Sequence, residues 1–186
     1  TIPFSVINDD IDEPNETIGI QLSSPVHAVI GSNTSTLYTI IDNDTAGVTM
    51  AESSGSTAVT EGGATDSFTV VLTSQPTSTV QVVFSTSTNG LTLSTSTLTF
   101  TASTWSDAQT VTVTATNDSV YESTHTTSVA PTISTTAYGY DVLSVTPFTV
   151  TITDNESSDI TLSASTLTVT EGSSSSYTVA LASAPT

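Results

Sequence analysis

One short phrase in this chain is written twice, and its return limits the possible folds more than any other feature. Val59-Thr60-Glu61-Gly62 reappears as Val169-Thr170-Glu171-Gly172, about 110 residues later, the size of one immunoglobulin-like sandwich. Each copy leads into an alternating run that ends near a proline: Phe68, Val70, Leu72 and Pro76, then Tyr177, Val179, Leu181 and Pro185. A second set of segments also repeats. Asn8-Asp9-Asp10-Ile11-Asp12-Glu13 aligns with Asn117-Asp118-Ser119-Val120-Tyr121-Glu122, and Thr39-Ile40-Ile41-Asp42-Asn43-Asp44 aligns with Thr151-Ile152-Thr153-Asp154-Asn155-Glu156.

The first set reads as the opening half of a domain and the second as the closing half. Residues 1–45 are therefore expected to close one domain, 46–157 to form a complete one, and 158–186 to open a third. Together the two partial domains lack a counterpart of residues 77–109, so they are not halves of a single permuted domain, and the natural protein is expected to be longer. Inside the complete unit the apolar pattern has period two. Val111, Val113 and Ala115 alternate with Thr112, Thr114 and Thr116, and similar runs occur at Leu98–Phe100 and at Phe148, Val150 and Ile152. With no helical stripe of useful length, an Asn-Gly break at 89–90 and Ser/Thr/Pro turns elsewhere, the class is all-β. The expectation is tandem antiparallel immunoglobulin-like β-sandwiches, about seven short strands to a domain.

Charge narrows the function. The chain has 18 Asp and Glu, no Lys or Arg, and a formal net charge of −18, so it lacks the cations that nucleic acid or an anionic membrane surface requires. Neither nucleic acid binding nor membrane insertion is expected. Ser and Thr make up roughly two-fifths of the chain, far above ordinary usage, yet hydrophobic residues still account for 35% and alternate with Thr, which favours folded strands over a disordered stalk. There is no Cys, so rigidity must come from something other than disulfides. Bound calcium is one such source.

The acids are not scattered. Only Glu52, Asp66, Asp107 and Asp141 fall outside the repeated segments. The others gather where apolar strands end, in loops at one end of a sandwich, and carboxylates crowded together there repel unless a cation joins them. Calcium accepts six to eight oxygens in flexible geometry, and magnesium fits less well because it demands a tighter octahedron. Acidic loops also form turns through local hydrogen bonds alone, and no run here has the spacing of an EF-hand loop.

The phrase at 59–62, the acidic turn Asn8–Glu16 followed by Ile18, Ile20 and Leu22, and the closing Ile41-Asp42-Asn43-Asp44 together resemble the Calx-beta domain, a calcium-binding β-sandwich. The resemblance spans nearly the whole chain. It implies calcium at one sandwich end, held in the complete domain by Glu61, Asp118, Glu122, Asp154 and Glu156. In the first domain it implies Asp9, Asp10, Glu13, Glu16, Asp42 and Asp44, and in the third Glu171. Ser119, Tyr121 and His125 stand where the first domain has Asp10, Asp12 and Glu16, so the complete domain is expected to hold fewer ions, or to hold them more weakly.

No catalytic constellation is visible. His27 and His125 lie in different expected domains, and no Gly-x-Ser-x-Gly elbow, Lys or Cys is present to activate a nucleophile. Trp105 is expected to pack near the strand beginning at Val111. Asn-x-Ser/Thr sequons occur at Asn15, Asn33, Asn43, Asn117 and Asn155, all but Asn33 inside the acidic turns where a glycan would obstruct an ion. The expected role is a non-enzymatic, calcium-stiffened repeat of an extracellular bacterial adhesin, filament or matrix protein. A regulatory calcium sensor and the accessory stalk of a secreted enzyme are the alternatives. Expected partners are neighbouring repeats and other copies of the chain, in a homopolymer or bundle, because Lys-free, Thr-faced strands such as Val111–Thr116 leave edges open to pairing.

Overall fold

The computed structural model describes residues 3–88 and 90–185. Thr1, Ile2, Asn89 of the Asn-Gly break and Thr186 lie outside the described residues. The elements in chain order are β1 (Glu16–Gln21), β2 (Ser35–Ile40), β3 (Val48–Glu52), β4 (Thr57–Thr60), β5 (Asp66–Leu72), β6 (Val80–Thr86) and β7 (Leu91–Leu93). They continue with β8 (Thr97–Phe100), β9 (Gln109–Ala115), β10 (His125–Ser134), β11 (Phe148–Thr153), β12 (Ile160–Leu162) and β13 (Val179–Leu181). A single 3-10 turn, Ser53–Gly55, is the only helical element among the described residues.

Strands form here because branched side chains fit an extended backbone and a two-residue period sends alternate side chains to one face. In β9, Val111, Val113 and Ala115 are buried while Thr114 is exposed. β3 to β11 build two facing sheets, ordered β4-β11-β10-β6-β8 and β3-β5-β9-β7, an all-β immunoglobulin-like sandwich that is antiparallel except at one pairing. Phe68, Val70, Val82, Phe100, Val113, Val129, Val150 and Ile152 fill the space between them. Phe68 meets Phe84 and Phe148 edge-on, with ring centroids 5.3 and 4.9 Å apart. Trp105 packs half-buried against this core, and its carbonyl accepts the Leu72 N–H at 3.1 Å. β6 and β7 do not pair with each other, so the break around Gly90 passes the chain from one sheet to the other.

The exception to antiparallel pairing sets the position of everything that follows. β3 pairs with β5 in one sheet, and the Ser53–Gly55 turn then carries the chain across so that β4 runs parallel to β11 in the other. Ser54 and Gly55 take positive φ, 55° and 82°, to make the step. Two acids outside the repeated clusters brace it. Asp66 accepts the Ser53 hydroxyl and the Ala58 N–H, the latter at 2.9 Å, and Glu52 accepts the Thr57 hydroxyl at 2.7 Å.

The strand Val111–Thr116 does not offer the open edge expected of it. β9 lies between β5 and β7, and the edges of the sandwich are β3, β7, β4 and β8. The flanking segments add edges of their own and leave apolar faces uncovered. β1 and β2 form an antiparallel hairpin, as do β12 and β13, and their apolar residues stay exposed. Ile20 is 37% and Val179 59% exposed, whereas Val129 and Val70 in the sandwich are fully buried.

The flanks meet the sandwich at opposite poles. Gln75, just past the end of β5, donates its N–H to the Asp10 carbonyl at 2.6 Å. Nearby, Gly139 has φ 75°, and a Cβ there would lie 2.0 Å from an Asp12 carboxylate oxygen and 2.7 Å from Ala46 Cβ. At the other pole, beyond the end of β9 and beside the start of β5, the Ser119 carbonyl accepts the Ala184 N–H at 2.7 Å.

Tyr140 anchors the first pole. Its hydroxyl donates to the Ser74 carbonyl at 2.7 Å and accepts the Ser74 N–H at 3.1 Å, with both residues buried. Tyr140→Phe removes both partners from a dry backbone unit, and the expected loss is about 1–3 kcal/mol in urea unfolding. A midpoint equal to wild type contradicts this account of the anchor.

Candidate metal centre

In-register parallel strands leave a sheet side by side. β4 and β11 pair Thr60 with Thr153, so the next residue on each, Glu61 and Asp154, emerges at the same pole. The Glu61 N–H extends the pairing by donating to the Thr153 carbonyl at 3.0 Å. Two residues further along the chain, past the end of β11, comes Glu156. One carboxylate oxygen from each of Glu61, Asp154 and Glu156 lies within 4.8 Å of the others, the only such group of metal-ligating side chains among the described residues. Glu61 is only 4% exposed. Its Oε2 and that of Glu156 are buried without any hydrogen-bond partner.

The backbone holds Asp154 in place. Its Oδ2 accepts the N–H groups of Glu122 and Ser123 at 2.8 and 3.1 Å, and its Oδ1 accepts the Glu156 N–H at 3.2 Å. Asp118 closes its own turn, its Oδ1 accepting the Val120 N–H at 2.7 Å. The Gly of the Thr-Glu-Gly phrase is required by space and conformation. At Gly62, φ is 59°, and a Cβ would lie 2.4 Å from Asn117 Oδ1 and 3.0 Å from Asn155 Nδ2. Those two amides bond each other at 2.9 Å. Gly172 has the same handedness, φ 83°, with no such neighbours.

The electrostatics follow from crowding. Burial pushes the Glu61 carboxyl up, opposed by a hydrogen bond from the Asp118 backbone and reinforced by the charges of Asp118, Asp154 and Glu122. Glu156 is raised by sharing a hydrogen bond with Asp154, then by burial. Asp154 moves the other way, since the hydrogen bonds it accepts outweigh the upward push of burial. The protein keeps one carboxylate ionised and presses two others toward neutrality.

The first unit reproduces four bonds of this scaffold, though Pro14, standing where Ser123 does, has no N–H to give Asp42. Asn8 Nδ2 donates to the Asp9 carbonyl as Asn117 Nδ2 does to that of Asp118. Ile11 N–H reaches Asp9 Oδ1 as Val120 reaches Asp118. Glu13 N–H donates to Asp42 Oδ2 at 3.0 Å, and Asp44 N–H to Asp42 Oδ1 at 3.3 Å, matching Glu122 and Glu156 on Asp154. Asp9, Glu13, Glu16, Asp42 and Asp44 line an open groove of about 590 Å³ there, and Asp10 does not. Glu13 and Asp44 are both raised, by burial first and neighbouring carboxylates second.

Of the residues singled out in the complete unit, Glu61, Asp154 and Glu156 converge. Asp118 and Glu122 sit beside them on exposed turns, bound to the group through their backbones and charges. His125 is 3.9 Å from Glu122. Glu171 is exposed and joins no group of acids. The sequence reading missed Ser123, Asn117 and Asn155 as parts of the site. The two Asn were visible in the aligned segments but had been considered only as sequons.

No family model matches the chain, and no curated protein matches it. Among solved structures, the apo form of the Calx CBD1 domain aligns at 18% identity and TM-score 0.40, over 59% of this chain and 98% of that one. The calcium binding domain CBD12 of CALX1.1 aligns at 19% and 0.43, over 67% and 53%, and the D00-D0 domain of Intimin at 17% and 0.37, over 65% and 56%. The chain spans about half the length of those last two. Likeness of this degree carries no argument about the site, which stands on its own geometry.

Linkage makes the crowding measurable. Raised carboxyls bind more protons folded than unfolded, so Glu61 and Glu156 take stability away as pH rises from their ordinary value near 4.5 through the raised one. Asp154 and Asp66, both lowered, stabilise above their ordinary value near 3.8, and that stabilisation disappears as pH falls through the lowered values. In chelator, the melting point should decline as pH rises from 4.5 to neutrality. Glu61→Gln should flatten the decline and raise the neutral-pH melting point by roughly 3 °C. A wild-type melting point that climbs steadily over the same range rules this out.

Proposed function

We propose that the sandwich is a calcium-binding module, with Glu61, Asp154 and Glu156 as its central ligands and Asp118 and Glu122 beside them. The observation that carries this reading is the buried, unpartnered Oε2 of Glu61, on a carboxylate that converges with those of Asp154 and Glu156. A buried acceptor without a donor is costly, and among these 186 residues no Lys or Arg exists to supply one. The donor set is all oxygen, which suits a hard cation, and the loose spacing suits calcium better than magnesium. A bound ion supplies positive charge to the pole and oxygen coordination that ties the ends of β4 and β11 together.

The role we assign is structural and non-enzymatic: a repeat that stiffens when loaded, in an extracellular adhesin, filament or matrix protein. It is supported by the duplicated hydrogen-bond scaffold in the first unit and by the placement of the flanking units at opposite poles. The acids of the first groove and Glu171 belong, in this reading, to the corresponding sites of the neighbouring units.

Calorimetric titration and melting test the assignment. Calcium at a hundred times its Kd should add about 2.7 kcal/mol to stability, with magnesium adding less. Glu61→Gln and Asp154→Asn should each abolish most of that gain. Scattering should show a straighter particle with calcium than with chelator. An unchanged melting point on adding calcium refutes the reading.

A further inference from the structure

We propose that each unit docks on the one before it through a repeated backbone contact, in which the turn after β5 takes the acidic turn of the preceding unit. The contacts at the two poles are one contact made twice. Gln75 donates its N–H to the Asp10 carbonyl at 2.6 Å, and Ala184 donates to the Ser119 carbonyl at 2.7 Å. The donors correspond, since Leu72-Thr73-Ser74-Gln75-Pro76 aligns with Leu181-Ala182-Ser183-Ala184-Pro185. The acceptors correspond as well, Asp10 and Ser119 holding the same place in Asn8–Glu13 and Asn117–Glu122. Each donor precedes a proline, which biases it to extended backbone.

The peptide that accepts is gripped on both sides. While the Asp10 carbonyl receives Gln75, the N–H of the same peptide group, on Ile11, donates to Asp9 Oδ1 at 3.1 Å. The peptide after Ser119 is held likewise, its Val120 N–H donating to Asp118 Oδ1 at 2.7 Å. The receiving side is built as carefully. Tyr140 fixes Ser74 through its hydroxyl, and its neighbour Gly139 leaves a hollow that Asp12 fills, for a Cβ there would overlap the Asp12 carboxylate. Thr73 holds the incoming chain, its hydroxyl donating to the Thr45 carbonyl at 2.7 Å and its N–H to the Gly47 carbonyl at 3.0 Å. Ala182, in the place of Thr73, donates its N–H to the Asp159 carbonyl at 2.8 Å.

Residues 73–75 thus grip both the linker and the turn of the preceding unit. A covalent linker alone lets two units swivel, and a second tether beside it resists that motion. Because donor and acceptor are backbone groups, Gln and Ala serve equally on one side and Asp and Ser on the other. The joint therefore accepts any unit of this kind as its neighbour, and since it joins unlike surfaces it propagates along an array. It stands without the calcium reading, for every bond in it is made by the protein itself.

Amide exchange on the whole chain should find the Gln75 and Ala184 N–H groups slowed roughly tenfold or more against their unstructured rates. Exchange of either one at its unstructured rate overturns the proposal, since the two joints are claimed to be one. The chain has no cysteine, so an introduced pair reports the hollow. Asp12 Cγ lies 3.2 Å from the Cβ that Gly139→Cys would add, and Asp12→Cys/Gly139→Cys should close to a disulfide roughly tenfold faster than Asp12→Cys/Ser119→Cys. Gln75→Pro deletes the donor of the first joint. It should bring closure down to the rate of the control pair while leaving the melting of the sandwich and the protection of Ala184 unchanged. Equal closure by the two pairs, or closure untouched by Gln75→Pro in a sandwich that melts as wild type, also overturns it.

Discussion

Everything at the acidic pole depends on four residues of β4 running parallel to β11. An antiparallel partner there would deliver its following residue to the far end of the sheet. Because Thr57–Thr60 and Val150–Thr153 run the same way, their next residues leave together, and a single backbone register brings Glu61 to Asp154. The crossover that permits this is local. It needs a turn with two positive φ angles and an acid, Asp66, that accepts from both sides of the step.

The same register creates an electrostatic conflict that the protein does not resolve internally. Hydrogen bonds from Glu122, Ser123 and Glu156 favour the ionised form of Asp154, while burial and neighbouring charges oppose ionisation of Glu61. Preorganising one carboxylate and straining another is what a coordination site needs before its ion arrives: geometry fixed by the backbone, with charge left uncompensated.

Much of this was legible in the sequence. Period-two alternation located β5, β9 and β11, and Glu61, Asp154 and Glu156 stood among the twelve acids that the family resemblance implied as ligands. Topology was not legible. Alternation says which residues of β9 point inward but not which strands flank it, so the threonines at Val111–Thr116 suggested an edge where the sheet has a centre. The site's backbone donors and bracing amides were also hidden. Ser123 contributes an N–H, which every residue but proline has, and Asn117 and Asn155 act through a contact across 38 positions. Asp66 was set aside for lying outside the repeats, although it secures the step that positions Glu61.

The chain enters the sandwich just before β3 and β4 and leaves just after β11. Tension applied through the two flanking units therefore draws β4 back toward its start and β11 forward toward its end. Once the load has passed β3, two parallel neighbours pulled in opposite directions slide along their shared axis, so the hydrogen bonds between them are sheared together. The pairing that assembles the acidic pole is thus also the mechanical clamp of the domain, and anything joining Glu61 to Asp154 would be loaded in the same shear.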